Sequence, residues 1–399
     1  MTKNDDKRVP VLRFKGFNDD WAQRLLKHFI TVSSQKNLDN SFDKFDVLSV
    51  SGKYGIVNQI KFQGRSLAGK TLTNYKVVNT NDVVYTKSPI KNNPYGVIKV
   101  NKHKSGIVST LYAVYNPTKY VCSNFVELYF NDNLRLNKYL KPIVNIGAKH
   151  DMKIANKEVI NHNVIFPEVE EQRQICTLFL KLEKLISLQQ RKLQQLKLLK
   201  KAMLQDLFTD KNVPKLRFNG FDANWIQCKL EKEALLTMGQ SPSGSTYSDQ
   251  PSTYILVQGN ADLKNGWVKP RIWTTQITKL AKKGDIIITV RAPAGKVGRT
   301  NFDVVLGRGV ASIQGNDFIF YLLSKMDMNK YWKKYAAGST FESINSNDIK
   351  NTRVHVPNLP EQNRIANLFL RLDDLIRFQQ NKLNNLQKNK QFLLQNMFI

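Results

Sequence analysis

The sequence predicts an α+β fold: two mixed α/β domains with antiparallel sheets, joined by two long antiparallel coiled-coil helices, pseudo-two-fold duplicated. Three observations predict it. Residues 9–26 return at 213–230 with 10 of 18 identities, and residues 166–208 return at 356–398 with 19 of 43. The offsets are unequal, 204 and 190, so the intervening stretches 27–165 and 231–355 differ in length by 14 residues, and they share little sequence. The second repeat carries a seven-residue apolar period over about five heptads, the pattern of a helix packed along its length by another helix. The expected order is a globular domain over 1–165, a helix over 166–208, a second domain over 209–355 and a second helix over 356–399.

The globular stretches lack a sustained helical period. Short β-branched runs at Val83–Tyr85, Gly96–Val100, Leu111–Tyr115, Phe125–Phe130, Tyr254–Val257, Ile286–Val290 and Val304–Leu306 read as strands between Gly, Asn, Pro and Asp turn signals. At 125 to 139 residues, each stretch is long enough to bury a core without disulfides.

Each helix follows a proline (Pro167, Pro357) and opens on acidic residues (Glu170 and Glu171; Glu361), an N-terminal signature. The expected seam runs through Ile175, Phe179, Leu182, Ile186, Gln189, Leu193 and Leu196, and through Ile365, Phe369, Leu372, Ile376, Gln379, Leu383 and Leu386. A glutamine and then a lysine (Gln189 and Lys200; Gln379 and Lys390) recur at matching seam positions. A polar residue on a seam costs stability and can fix register; it can equally face solvent or a third helix.

The formal net charge is +29. The two variable stretches hold +19 of it (20 basic and 8 acidic residues in 27–165; 17 and 10 in 231–355). Such an excess on globular domains points to a polyanion, nucleic acid before membrane. The three cysteines are widely spaced, which suits a reducing cytosol. The polar N-terminus argues against a signal peptide, and no run reaches 18 apolar residues, so a cytoplasmic protein without a membrane partner is expected.

Polar and basic side chains crowd the turns. The candidate nucleic-acid contacts are Ser51, Lys53, Tyr54, Lys61, Arg65, Lys87, Lys91, Asn92, Asn93, Tyr95, Lys102, His103 and Lys104 in the first domain. In the second they are Gln240, Ser241, Ser243, Tyr247, Gln258, Asn260, Arg271, Arg291, Lys296, Arg299 and Arg308. Arginine reads guanine and Asn or Gln reads adenine through paired hydrogen bonds, whereas lysine mostly finds phosphate.

No catalytic or metal constellation emerges. The five histidines have no ligand spacing, and no nucleophile elbow or carboxylate cluster is present. Gly64–Thr71, GRSLAGKT, matches the phosphate-loop pattern in full, which keeps a nucleotide hydrolase as an alternative. Its flanks oppose that reading: the Asn- and Thr-rich run after it is a poor helix. A purely structural coiled-coil scaffold is the other alternative.

The chain resembles the specificity subunits of type I restriction-modification enzymes over nearly its whole length. The L-R-F-x-G-F-x-x-x-W motif (Leu12–Trp21, Leu216–Trp225) and the P-x-x-x-E-Q passage (Pro167–Gln172, Pro357–Gln362) each occur twice. NYKVVNTNDVVY, NPYG and SGIVSTLYAVY in the first domain, and GQSPSGSTY, GDIIITVRAPAGKVG and LGRGVASI in the second, are also similar to the family. The resemblance implies that each variable stretch is a target recognition domain for one half of a split, asymmetric site in double-stranded DNA. It implies that the helices set the spacer and dock two methyltransferase subunits, with motor-nuclease subunits completing the complex. On this reading the chain is not itself an enzyme and binds no cofactor; S-adenosylmethionine, ATP and Mg²⁺ belong to its partners.

Overall fold

The computed structural model describes residues 9–69, 71–90, 92–146, 152–335 and 343–399. Its contacts form two units, 1–188 with 383–399, and 189–382. These differ from the four consecutive segments read from the sequence because each unit recruits part of both repeat helices into its core.

In the first unit, Ala22–Leu25 pairs antiparallel with Asn163–Phe166, tying the start of the globular stretch to its end. A four-stranded antiparallel sheet runs in the order Ile30–Val32, Tyr112–Pro117, Val83–Thr86, Ile98–Val100. Leu48–Ser51 pairs with Gly55–Asn58, and Lys76–Val78 with Gly106–Val108. The helices are α1 (Gln59–Gln63), α2 (Ser123–Phe130), α3 (Asn133–Leu140), α4 (Asn156–Val159) and the 39-residue α5 (Val169–Leu207). The strand expected at Phe125–Phe130 lies within α2. Every residue from Phe125 to Phe130 is buried, and an apolar run inaccessible on all sides has no period to separate helix from strand.

The second unit repeats the plan. Ile226–Lys229 pairs antiparallel with Arg353–Val356. A six-stranded sheet contains the strands Leu235–Met238, Val310–Gln314, Ile286–Thr289 and Val297–Arg299 in that order, all antiparallel. A five-stranded sheet holds Tyr254–Val257 against Val304–Leu306, here parallel. Its helices are α6 (Asp317–Met328), α7 (Ser346–Lys350) and the 38-residue α8 (Leu359–Asn396). Pro360 falls in the first turn of α8, where its missing N–H costs nothing. No described helix is long and apolar enough to cross a membrane.

Within the first unit the N-terminal part of α5 lies against the C-terminal part of α8; Phe179 and Phe398 have ring centroids 6.1 Å apart. Within the second, the end of α5 meets the start of α8, with Phe208 and Phe369 at 5.8 Å. Each unit thus contains an antiparallel pair. Among the expected seam residues, Ile175, Phe179, Leu193, Ile365, Phe369, Leu372, Gln379 and Leu383 are buried, and Leu182, Ile186, Gln189, Leu196, Ile376 and Leu386 are half-buried. Neither seam lysine faces solvent freely: Lys200 pairs with Asp373 and lies 5.3 Å over the Tyr321 ring of a third helix, α6, and Lys390 pairs with Glu183 at 2.8 Å.

The two repeated motifs meet at the helix N-termini. Arg13 grips Glu171 through two parallel hydrogen bonds of 2.8 Å, and Arg217 grips Glu361 at 2.8 and 2.7 Å. Each carboxylate is buried, so it depends on this fork for its charge balance. Beside it, Gln172 accepts from the Cys122 N–H and donates to the carbonyls of Tyr120 and Pro167. Gln362 accepts from the Asn316 side chain and donates to Pro357. The buried Trp21 and Trp225 pack edge-on against Phe125 and Phe318. Finally, the Leu12 N–H bonds Asn396 and the Leu216 N–H bonds Asp206, closing each motif onto the end of a long helix.

Replacing Arg13 or Arg217 with Ala leaves a buried carboxylate unpaired and should destabilise its own unit by about 3 kcal/mol. Hydrogen exchange read separately over 9–188 and 189–382 should show the loss confined to the unit that carries the substitution.

Candidate nucleic-acid interface

In the second unit, three loops are locked together by their backbones. The Gln240 N–H bonds Leu306, the Gly307 N–H bonds Val257, and the Arg308 N–H bonds the Ser241 hydroxyl at 3.1 Å. Gly309 permits the approach: a Cβ there would stand 2.1 Å from the carbonyl oxygen of Gln258. Asp262 fixes the next turn by accepting from the N–H groups of Gln258 and Gly259, and it pairs with Arg271 at 3.0 Å. Gln240, Ser241, Gln258, Asn260 and Arg308 are therefore brought onto adjoining rigid loops. Gln240, Asn260 and Arg308 are exposed and Gln258 is half-buried. An arginine with neighbouring amides is the donor and acceptor set that reads guanine and adenine edges.

In the first unit, Ser51, Lys53 and Tyr54 sit at the turn between Leu48–Ser51 and Gly55–Asn58, and Lys61 and Arg65 on or just after α1. The Tyr54 and Phe62 rings are 5.5 Å apart, and the Lys53 ammonium lies 5.1 Å over Tyr54. Both rings are exposed, at 58% and 47%. Phe62 was not among the expected contacts, because an isolated aromatic in a sequence reads as core; only its exposure beside Lys53 and Tyr54 marks it. His103 and Lys104 are exposed on the loop after Ile98–Val100.

Other expected contacts have internal partners. Lys87 donates to the Ile154 carbonyl at 2.9 Å, and burial lowers its pKa. Asn93 is buried in a turn with Ile90, and the Tyr95 carbonyl accepts from Tyr85. Lys102 pairs with Glu127, Lys296 with Asp327, and Arg299 with Asp317 while lying over the Phe320 ring. Tyr247 donates to Pro242, the Ser243 hydroxyl meets Ser245, and the Asn92 carbonyl accepts from Asn137. Arg291 is exposed. Lys91 lies outside the described residues.

The phosphate-loop match has the wrong surroundings. A short helix, α1, leads into Gly64 where a buried strand is required, and Gly64 is that helix's left-handed C-cap at φ 78°. Among the described residues no helix comes after it before the strand Lys76–Val78, so no helix N-terminus faces the loop. Lys70 lies outside the described residues. No group of acidic, His or Cys side chains suited to a metal occurs among the described residues.

Two basic, diverged α+β units gripped by a duplicated helix clamp define a bipartite recognition protein rather than a phosphate-loop enzyme. Residues 237–388 match the family described as the type I restriction modification DNA specificity domain. A putative type I restriction enzyme specificity subunit (MjaX) from Methanocaldococcus jannaschii is 28% identical over 291 residues, covering 70% of this chain and 68% of its own. A second specificity subunit (MjaIX) of that organism is 29% identical over 207 residues, 46% of each chain. The fold is shared with a type I restriction-modification system S subunit from M. genitalium, at TM-score 0.60 and 11% identity over 98% of this chain and 99% of that one. A further chain, solved in work on complex assembly and conformational transition of the type I system, aligns at TM-score 0.55 and 20% identity, over 95% and 97%. Over residues 237–388, and over 70% of its length in one relative, the chain is similar to the specificity subunits of type I restriction-modification systems.

Replacing Arg308 with Ala should cost about 1–3 kcal/mol of specific DNA binding and relax discrimination at one base position. Replacing Lys53 with Ala should weaken binding evenly across sequences and flatten the salt dependence by roughly one unit of slope. Equilibrium binding against salt, on specific and scrambled duplexes, separates the two.

Proposed function

We propose that this chain reads a bipartite, asymmetric site in double-stranded DNA, one half-site per variable unit. It carries recognition, while docked methyltransferase and motor-nuclease subunits carry the chemistry in the cytoplasm. The observation that bears the reading is the duplicated clamp: matching Arg–Glu forks, and a glutamine bonded to the preceding proline carbonyl in each unit, hold two sets of loops that share almost no sequence. Selection that keeps a mount and varies what it carries fits two independent readers on one frame. S-adenosylmethionine, ATP and Mg²⁺ enter with the partners on this proposal.

The long helices suit a spacer. At 1.5 Å per residue, α5 measures roughly 58 Å, longer than one turn of B-DNA at about 34–36 Å. They also offer the same apolar positions twice: Leu185 and Leu375 are 42% and 51% exposed, and Leu188 and Phe378 are 54% and 62%. A surface presented in duplicate suits two copies of one methyltransferase partner.

Four residues inserted after Arg191 and after Asn381 lengthen both helices by about 6 Å, or roughly two base pairs. Modification mapping of a genome expressing the variant with its partners should return both half-sites unchanged and a longer spacer. Loss of either half-site, or a single contiguous site in the parent, overturns the proposal.

A further inference from the structure

Cys122 and Cys176 bring their sulfur atoms within 3.5 Å of each other. They come from different elements: Cys122 is the N-cap of α2, and Cys176 lies on α5, one turn beyond the anchoring Gln172. Cys122 is half-buried, whereas Cys176 is buried. The duplication provides an internal comparison. At the corresponding places in the second unit stand Asn316, the N-cap of α6, and Ala366. Each helix N-terminus is met by the equivalent glutamine, Gln172 or Gln362, so a thiol pair is not needed for that docking; it is an addition to one half only.

We propose that Cys122 and Cys176 form a reversible redox pair, in which a hydroperoxide closes a disulfide between the first variable domain and its long helix. The surroundings suit an attacking and a resolving thiol. The adjacent Cys176 thiol, the N–H groups of Phe125 and Asn124 and the charge of Arg173 together hold the Cys122 thiol below its ordinary pKa, against the opposing effect of burial. A half-buried thiol whose pKa is lowered, next to a second cysteine, suits a redox pair. The Cys122 thiolate attacks one peroxide oxygen; an S–O bond forms, the O–O bond breaks, and the departing hydroxide takes a proton to become water. The Cys176 sulfur then attacks the sulfenic sulfur; the S–S bond forms, the S–O bond breaks, and hydroxide leaves with the Cys176 proton as a second water. The two thiols lose two electrons in all, and the peroxide gains them. Closure adds a covalent link to the hydrogen-bonded anchorage at Gln172, in this unit alone.

The test treats the full-length chain with hydrogen peroxide and maps its tryptic peptides without reduction. The expected product links residues 120–135 to residues 174–181 and is two hydrogens lighter than the separate peptides. Titratable thiols should fall from three to one, leaving Cys228, and a reductant should restore them. Cys176→Ala, which installs the residue found at Ala366, should abolish the link and leave Cys122 to be oxidised further, to sulfinic or sulfonic acid. Three thiols persisting under peroxide, or over-oxidised Cys122 without the linked peptide in the parent chain, overturns the proposal.

Discussion

The whole arrangement depends on one buried ion pair made twice. Glu171 and Glu361 sit in the first turns of helices about 38 residues long, out of contact with water. A buried carboxylate without a partner costs several kcal/mol, so each helix can start only where a guanidinium fork reaches it. Arg13 and Arg217 supply that fork from motifs 158 and 144 residues away in sequence. The strands Ala22–Leu25 and Ile226–Lys229 then pair with the strands that immediately precede the helices. Those contacts return each chain excursion to its own helix, so the loops between are free to vary in length and sequence.

That freedom has been used unevenly. The second unit mounts its polar side chains on loops cross-braced by backbone hydrogen bonds and glycine contacts, around Gln240, Gln258 and Arg308. The first presents a turn with two exposed aromatic rings and a lysine. Rigid loops that hold an arginine between amides suit reading base edges; a lysine above exposed rings suits phosphate and stacking. The two halves share a frame and differ in how they present chemistry. The thiol pair of the first unit belongs to the same divergence, because Asn316 and Ala366 occupy those places in the second.

Within the candidate interface, several of the expected cations have carboxylate partners in their own unit. Lys102, Arg271, Lys296 and Arg299 carry the composition that suggested nucleic acid, yet each is matched with a carboxylate of its own unit. Their partners lie 9 to 31 residues away, at spacings that mean nothing before the chain is folded. Phe62 shows the opposite case, an aromatic residue whose exposure is decided by the short helix it rides on.

Repetition and period are properties of the chain read along its length, and the sequence by itself determined the features built on them. The duplication, the two long helices, the course of their seam and the two motifs that recur with them were all legible. A helix packed by another helix must repeat every seven residues, and a retained interface must repeat its sequence. What only the tertiary structure decided is which distant groups meet. It joined Arg13 to Glu171, set Lys200 against Asp373, and placed Cys122 beside Cys176. It also made a helix of Phe125–Phe130 and denied Gly64–Thr71 the strand and helix that a phosphate site requires. Pairing energies depend on distance in space and on exclusion of water, and neither is defined until the chain has closed on itself.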